Sequence, residues 1–277
     1  MADRKFGLET LCVHAGQIPD AVTGARAVPI HQSTSFVFDS AEHAASLFNL
    51  QTFGNVYTRL SNPTTAVFEE RMAALENGRA ALATASGQAA EMTAILTLCQ
   101  AGDHIVSSPS LYGGTYNLFH YTLPKLGIEV TFVNDPDNLD EWRAAARPNT
   151  KAFFGESISN PKNDILDIEG VAKVAHEVGV PLIVDNTVAT PYLVRPFEWG
   201  ADIVVHSATK YLGGHGTTLA GVVVESGKFP WDNGKFPGMT EPSPGYHGVK
   251  FYETFGDFGF TMRARMEVLR VYGSTLA

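Results

Sequence analysis

From residue 80 onward, short apolar runs alternate with amphipathic stretches. The runs fall at 80–85, 104–107, 129–133, 152–156, 182–185, 203–206 and 221–225. Most are continuous in Val, Ile, Ala and Phe rather than alternating with polar residues, as a strand covered on both faces requires. Helical stretches at 88–100, 116–126, 139–146 and 168–178 separate most of them. This rhythm predicts an α/β fold, a mostly parallel seven-stranded sheet between helices. Ligands of such sheets bind beyond the carboxyl ends of the strands.

The first part of the chain lacks that rhythm. Gly16, Pro19, Gly24, Pro29, Gly54, Asn62 and Pro63 break it repeatedly. Residues 1–63 therefore read as an extended arm with one short helix at 40–48, capped by Ser40 and carrying Glu42 in its first turn. A longer helix is expected at 64–77, with Val67, Met72 and Leu75 on its apolar side and Gly78 as its stop.

The residues that follow the strands carry the chemistry. Ser86-Gly87-Gln88 opens a helix after the first strand, and Leu111-Tyr112-Gly113-Gly114-Thr115 lies downstream of the second. The fourth strand ends in Glu156-Ser157-Ile158-Ser159-Asn160-Pro161, the fifth in Asp185-Asn186-Thr187 and the sixth in Ser207-Ala208-Thr209-Lys210. Each has a purely structural explanation alone: Ser86 and Asp185 as helix caps, Tyr112 as packing, Lys210 as a side chain snorkelling to water. Together they converge on one sheet edge. Free N–H groups at a helix N-terminus suit a phosphate, and an acid at a buried strand end suits a protonated pyridine nitrogen. A lysine in a partly desolvated pocket suits a Schiff base with an aldehyde. Ser207 and Thr209 add hydroxyls, and Gly213, Gly214 and Gly216 let the backbone pass close by. The set describes a site for pyridoxal phosphate.

Composition narrows the class. The chain has 277 residues, 44% hydrophobic and 18% charged, as in an ordinary globular protein. A net charge of −9 without a basic run argues against nucleic acid. Two cysteines, Cys12 and Cys99, exclude a disulfide framework and point to a reducing cytoplasm. No signal peptide is expected, and no apolar run nears the ~20 residues of a membrane span. The histidines lack the spacing of a metal site.

On these motifs, together with Tyr57-Thr58-Arg59 and Asn62-Pro63-Thr64, the chain resembles the Cys/Met-metabolism family of pyridoxal-phosphate enzymes, of the aspartate-aminotransferase fold type (type I). The resemblance implies that Lys210 is the Schiff-base lysine and proton shuttle, and that Tyr112 stacks on the ring. Asp185 would hold the ring nitrogen protonated, and Asn160 would support the ring oxygen. Ser86, Gly87, Gln88, Ser207 and Thr209 would surround the phosphate. It further implies that Tyr57 and Arg59 reach the phosphate of a neighbouring subunit in a homodimer or homotetramer. Leu11-Cys12-Val13-His14-Ala15-Gly16, Thr23 to Ile30, and the segment from Phe229 to Gly248 look like the branch that replaces the acetate of O-acetylhomoserine with sulfide or a small thiol. Methionine γ-lyases typically carry cysteine where Gly114 stands.

The family pattern departs in one large way: it continues into a smaller C-terminal domain carrying the arginine for the substrate carboxylate. The expected organisation is thus an arm at 1–63, a cofactor-binding domain at 64–262 and the start of a linker helix at 263–277. An inactive cofactor-binding fragment stays open as an alternative, as do cystathionine γ-synthase, cystathionine γ-lyase and O-succinylhomoserine sulfhydrylase activities. A serine hydrolase built on Ser86, Asp185 and His215 has the right residue order but lacks the Gly-x-Ser-x-Gly elbow.

Overall fold

The computed structural model of the chain describes residues 6–276. Its centre is one sheet of seven strands: β1 (Ala80–Thr84), β2 (His104–Ser107), β3 (Glu129–Phe132), β4 (Thr150–Glu156), β5 (Leu182–Asp185), β6 (Ile203–Ser207) and β7 (Gly221–Glu225). They run in the order β1-β7-β6-β5-β4-β2-β3. All neighbours are parallel except those of β7, which lies antiparallel between β1 and β6. The reason is in the chain: residues 208–220 form turns and no crossover helix, so the strand after β6 returns in the opposite direction.

Side chains alternate across the sheet. Ile203, Val205 and Val223 join a core with Ala90, Ile95, Phe154, Trp231 and Phe260 on one face. Val204, Val222 and Val224 join Met72, Leu75, Phe153, Val171 and Phe197 on the other. Both faces are covered, which is why the strands read as unbroken apolar runs.

The principal helices are α1 (Leu8–His14), α2 (Ala41–Phe48), α3 (Pro63–Glu76), α4 (Gly87–Leu98), α5 (Gly113–Asn117), α6 (Leu139–Ala145) and α7 (Ile168–Glu177). Ser40 caps α2 by accepting from His43 N, and Asn62 caps α3 by accepting from Thr64 N. Three expectations change. The stop of α3 is Asn77, in the left-handed region at φ 58°, and not Gly78. The helix expected at 116–126 is instead α5, a π-helical turn at Leu118–Thr122 and a 3-10 turn at Leu123–Leu126, because Pro124 cannot donate to an α-helical ladder. The arm holds a second helix, α1, which has no side-chain cap and only two turns, with Leu8 and Leu11 half-buried against the core, so its signal in the sequence is weak.

Residues 251–272 add helical turns that pack on α4 through Phe260, Met262 and Met266. Among the described residues, no helix is long and apolar enough to cross a membrane.

Candidate functional site

The carboxyl ends of the parallel strands gather most of the residues singled out above. The register sets Glu156, the last residue of β4, beside Asp185, the last of β5, and Asp185 beside Val205 on β6. Asp185 is half-buried and accepts from Thr187 N at 2.8 Å, the local turn a cap-like aspartate makes. Thr187 Oγ in turn accepts from Ser207 N at 2.7 Å, which joins the ends of β5 and β6.

The Ser86 turn reaches this edge from β1. Ser86 Oγ accepts from Ala89 N at 3.2 Å, so its hydroxyl caps α4. Gly87 is packed directly on Ser207: a Cβ there would lie 2.6 Å from Ser207 Cβ. Gly221 is packed as tightly on the other side, where a Cβ would lie 2.0 Å from the Ser86 carbonyl oxygen. Both glycines are demanded by close approach of backbones. Thr209 Oγ exchanges hydrogen bonds with Ala220, donating to its O at 3.2 Å and accepting from its N at 3.1 Å.

Lys210 stands in the turn three residues past Ser207. Its side chain is exposed, and its amine makes no hydrogen bond or ion pair among the described residues. The partly desolvated pocket expected around it is therefore not formed by the described residues of this chain. Tyr112 is also exposed, at 50%, and its ring lies over Gly114, whose Cβ would meet it at 2.4 Å. Asn160 is exposed. Tyr57 and Arg59 lie elsewhere in this chain: the Arg59 guanidinium sits 5.5 Å from the Tyr57 ring centroid and donates to Arg270 O at 2.9 Å.

The sequence reading gave no role to Glu91 and Glu156. Glu91 on α4 is buried, accepting from Gln88 Nε2 at 2.9 Å and Thr115 Oγ at 2.8 Å. Its carboxyl is close enough to Asp185 for each to act on the other's protonation, so two acids share one locality. Burial, followed by the Asp185 charge, pushes the Glu91 carboxyl well above its usual range. The same two causes push Glu156 up to about 8. Burial raises Asp185 as well. No lysine or arginine pairs with any of the three among the described residues. Glu91 had a signal: it is the single charge in an otherwise apolar and small-residue helix.

A second buried group lies next to them. His206 Nε2 contacts Glu76 Oε1 at 2.6 Å, and Asn186 Nδ2 donates to the same oxygen at 3.0 Å. His206 precedes Ser207 and Asn186 follows Asp185 in sequence, while Glu76 comes from the end of α3.

The chain is similar to known proteins over almost its whole length. The chain is 57% identical to the O-acetyl-L-homoserine sulfhydrylase of Leptospira meyeri, over 99% of this chain and 64% of that protein. It is 53% identical to O-acetyl-L-homoserine sulfhydrylase 1 of Thermus thermophilus, over 97% of this chain and 64% of that protein. It therefore spans less than two thirds of the length of these relatives. In structure it matches an O-acetylhomoserine (thiol)-lyase of Campylobacter jejuni that carries N'-pyridoxyl-lysine-5'-monophosphate. The TM-score is 0.95 at 39% identity, covering 99% of this chain and 67% of that one. Cystathionine γ-lyase of Lactobacillus plantarum is more distant, with a TM-score of 0.79 at 34% identity and coverage of 98% and 60%. Residues 9–242 match the model of the Cys/Met metabolism PLP-dependent enzymes, and the chain belongs to that family.

Proposed function

We propose that the chain forms the cofactor-binding part of an enzyme that replaces the acetate of O-acetylhomoserine with sulfide or a small thiol, giving homocysteine or methionine. The observation that carries the cofactor side of this reading is the group of Asp185, Glu91 and Glu156, three carboxyls with no lysine or arginine ion-paired to them among the described residues. A protonated ring nitrogen fits there as the missing positive charge. Gly87, seated tightly on Ser207, brings the N-terminus of α4 to the end of β6, and an anion suits the N–H groups that Gly87 and Gln88 have to offer there. The similarity to O-acetyl-L-homoserine sulfhydrylases supports the substrate side.

In this reading the roles divide among strand ends. Pyridoxal phosphate, when bound, supplies an electron sink for charge developed at carbons near an amino group. Lys210 supplies the amine that anchors the aldehyde and then moves protons at the substrate's α-carbon. Asp185 keeps the proton on the ring nitrogen. Tyr112 covers one face of the ring, and Asn160 supports its oxygen. Gly87, Gln88, Ser207 and Thr209 hold the phosphate with Ser86 shaping the turn. The exposure of Lys210 and Tyr112 suits a site closed by more than these residues. Tyr57 and Arg59 are assigned to the phosphate of a neighbouring subunit, so the active unit is at least a homodimer. Residues 1–63 then form the arm, 64–262 the cofactor-binding domain and 263–277 a linker.

The test is a visible spectrum of the purified chain with pyridoxal phosphate, before and after borohydride, followed by mass spectrometry. A phosphopyridoxyl mass on the Lys210 peptide is expected. A chain that stays colourless and unlabelled overturns the cofactor reading. Assay with O-acetylhomoserine or O-succinylhomoserine, each with sulfide, then separates the donors.

A further inference from the structure

We propose that Glu156 is a positioning residue, whose one buried carboxylate fastens the segment of Tyr112 to the segment of Asn160. The spacing of these two walls across a bound ring follows from that fastening; this second part rests on the cofactor reading above, and the first does not.

Glu156 closes β4 and is 6% exposed. Its Oε1 accepts from Tyr112 N at 2.5 Å and its Oε2 from Asn160 N at 3.1 Å. Each oxygen thus holds the main chain of one residue, and the two residues are far apart in sequence. Among the described residues one other hydrogen bond joins the segments: Ser110 Oγ donates to Asp164 Oδ2 at 2.7 Å. That contact touches neither Tyr112 nor Asn160.

A carboxyl group suits this geometry. Both partners are N–H donors and each takes one of the two oxygens, most strongly when the carboxyl is ionised. Glutamine has the same shape but turns one acceptor into a donor, which would then face an N–H. Aspartate keeps the charge but is one carbon too short to reach both. The arrangement is also costly: Glu156 is buried beside the acid Asp185 and has no cationic partner, and that burial raises its carboxyl. A purely structural tie between two loops could be made by neutral groups without that cost.

Amide hydrogen exchange of the cofactor-free chain tests the fastening. In Glu156→Gln, exchange in peptides covering 108–117 and 157–165 should both quicken by about tenfold, the effect of losing one buried hydrogen bond, while β5 and β6 stay protected. Exchange unchanged in both segments, or quickened in only one, overturns the proposal. Should Glu156→Gln fail to fold, Glu156→Asp is measured instead: faster exchange in at least one of the two segments supports the fastening, and wild-type exchange in both overturns it.

Pyridoxal phosphate titration of wild type, Glu156→Gln, Tyr112→Ala and the double variant tests the second part. If Glu156 acts through the Tyr112 wall, the losses of affinity are less than additive, and the visible circular dichroism of bound cofactor weakens in Glu156→Gln. Fully additive losses with an unchanged dichroic band overturn it. A wild-type chain that binds no pyridoxal phosphate overturns the cofactor reading and the ring-spacing part with it; the exchange measurement still decides the fastening.

Discussion

His206 Nε2 lies 2.6 Å from Glu76 Oε1, and neither side chain has any exposed surface. The contact joins the end of α3 to the end of β6, and Asn186 Nδ2 extends it to the end of β5. Glu76 Oε2, His206 Nδ1 and Asn186 Oδ1 have no hydrogen-bond partner among the described residues. A group this buried is held by few bonds, so each matters.

Glu76→Ala should therefore cost about 3–5 kcal/mol, the penalty of leaving a buried polar partner unpaired. Glu76→Gln retains an oxygen that accepts from both His206 and Asn186 and should cost far less. Urea denaturation of the two variants makes the comparison; equal losses would show that the shared amide oxygen cannot replace the carboxylate and would overturn this reading.

Three glycines give a graded test of the strand-end seat. Gly87→Ala places a methyl 2.6 Å from Ser207 Cβ, and Gly221→Ala places one 2.0 Å from the Ser86 oxygen. Each should destabilise by about 1–3 kcal/mol or more, as overpacking does. Gly113→Ala meets nothing within 4 Å and lies in α5. It should be neutral or stabilising by up to about 1 kcal/mol. Thermal unfolding of the three variants gives the order directly.

The carboxyls at the strand ends set one pH trend. Burial raises Glu156 from 4.5 to about 8 and Glu225 from 4.5 to about 7, and it raises Glu91 and Asp185 too. The folded chain therefore holds protons that the unfolded chain releases between 4.5 and about 8. Stability contributed in this way is present at low pH and is lost as pH rises through that window. Urea midpoints of the cofactor-free chain should fall between pH 5 and pH 8. Pyridoxal phosphate, by placing positive charge among Asp185, Glu91 and Glu156, should flatten the fall.

His104 works in the opposite direction. It is buried in the sheet with Thr150 and Thr131 hydroxyls on its two ring nitrogens, and burial pushes it from 6.5 to about 4. Below pH 6.5 the unfolded chain takes up a proton that the folded chain refuses, so stability falls toward pH 4. In His104→Gln that acid-side loss should shrink, visible as a shallower change in urea midpoint between pH 6.5 and pH 4.5.

The two cysteines should differ in a thiol-labelling experiment. Cys12 on α1 is exposed, while Cys99 is buried and burial raises its thiol further from ionisation. One equivalent of an aromatic disulfide reagent should react quickly under native conditions, and peptide mapping should find it on Cys12.

Much of the fold is legible in the sequence because its strands are covered on both faces, which makes runs such as Ile203-Val204-Val205 continuous. The direction of β7 is legible too, once the missing crossover helix before it is noticed. The π-helical turn at Leu118–Thr122 is not, since no local pattern distinguishes it from α-helix. At the site, Asp185, Ser207 and Lys210 follow apolar runs and so announce where they lie. Glu76 and His206 do not: they are 130 residues apart, and nothing near either one names the other. Glu156 is visible as a strand end, but its two bonds depend on where distant loops return.

The place of β7 between β1 and β6 also governs the order of assembly. Ala80 finds its ladder partner in Glu225, and β1 has no other neighbour in the sheet. A chain made from its N-terminus thus carries β1 and the Ser86 turn without a ladder until the last of the seven strands has emerged. Closing so long a connection is slow, because its entropy is lost before any contact compensates. The Ser86–Gly87 side of the candidate site is accordingly among the last parts to be completed in folding, while the β4–β5 side carrying Glu156 and Asp185 can form early.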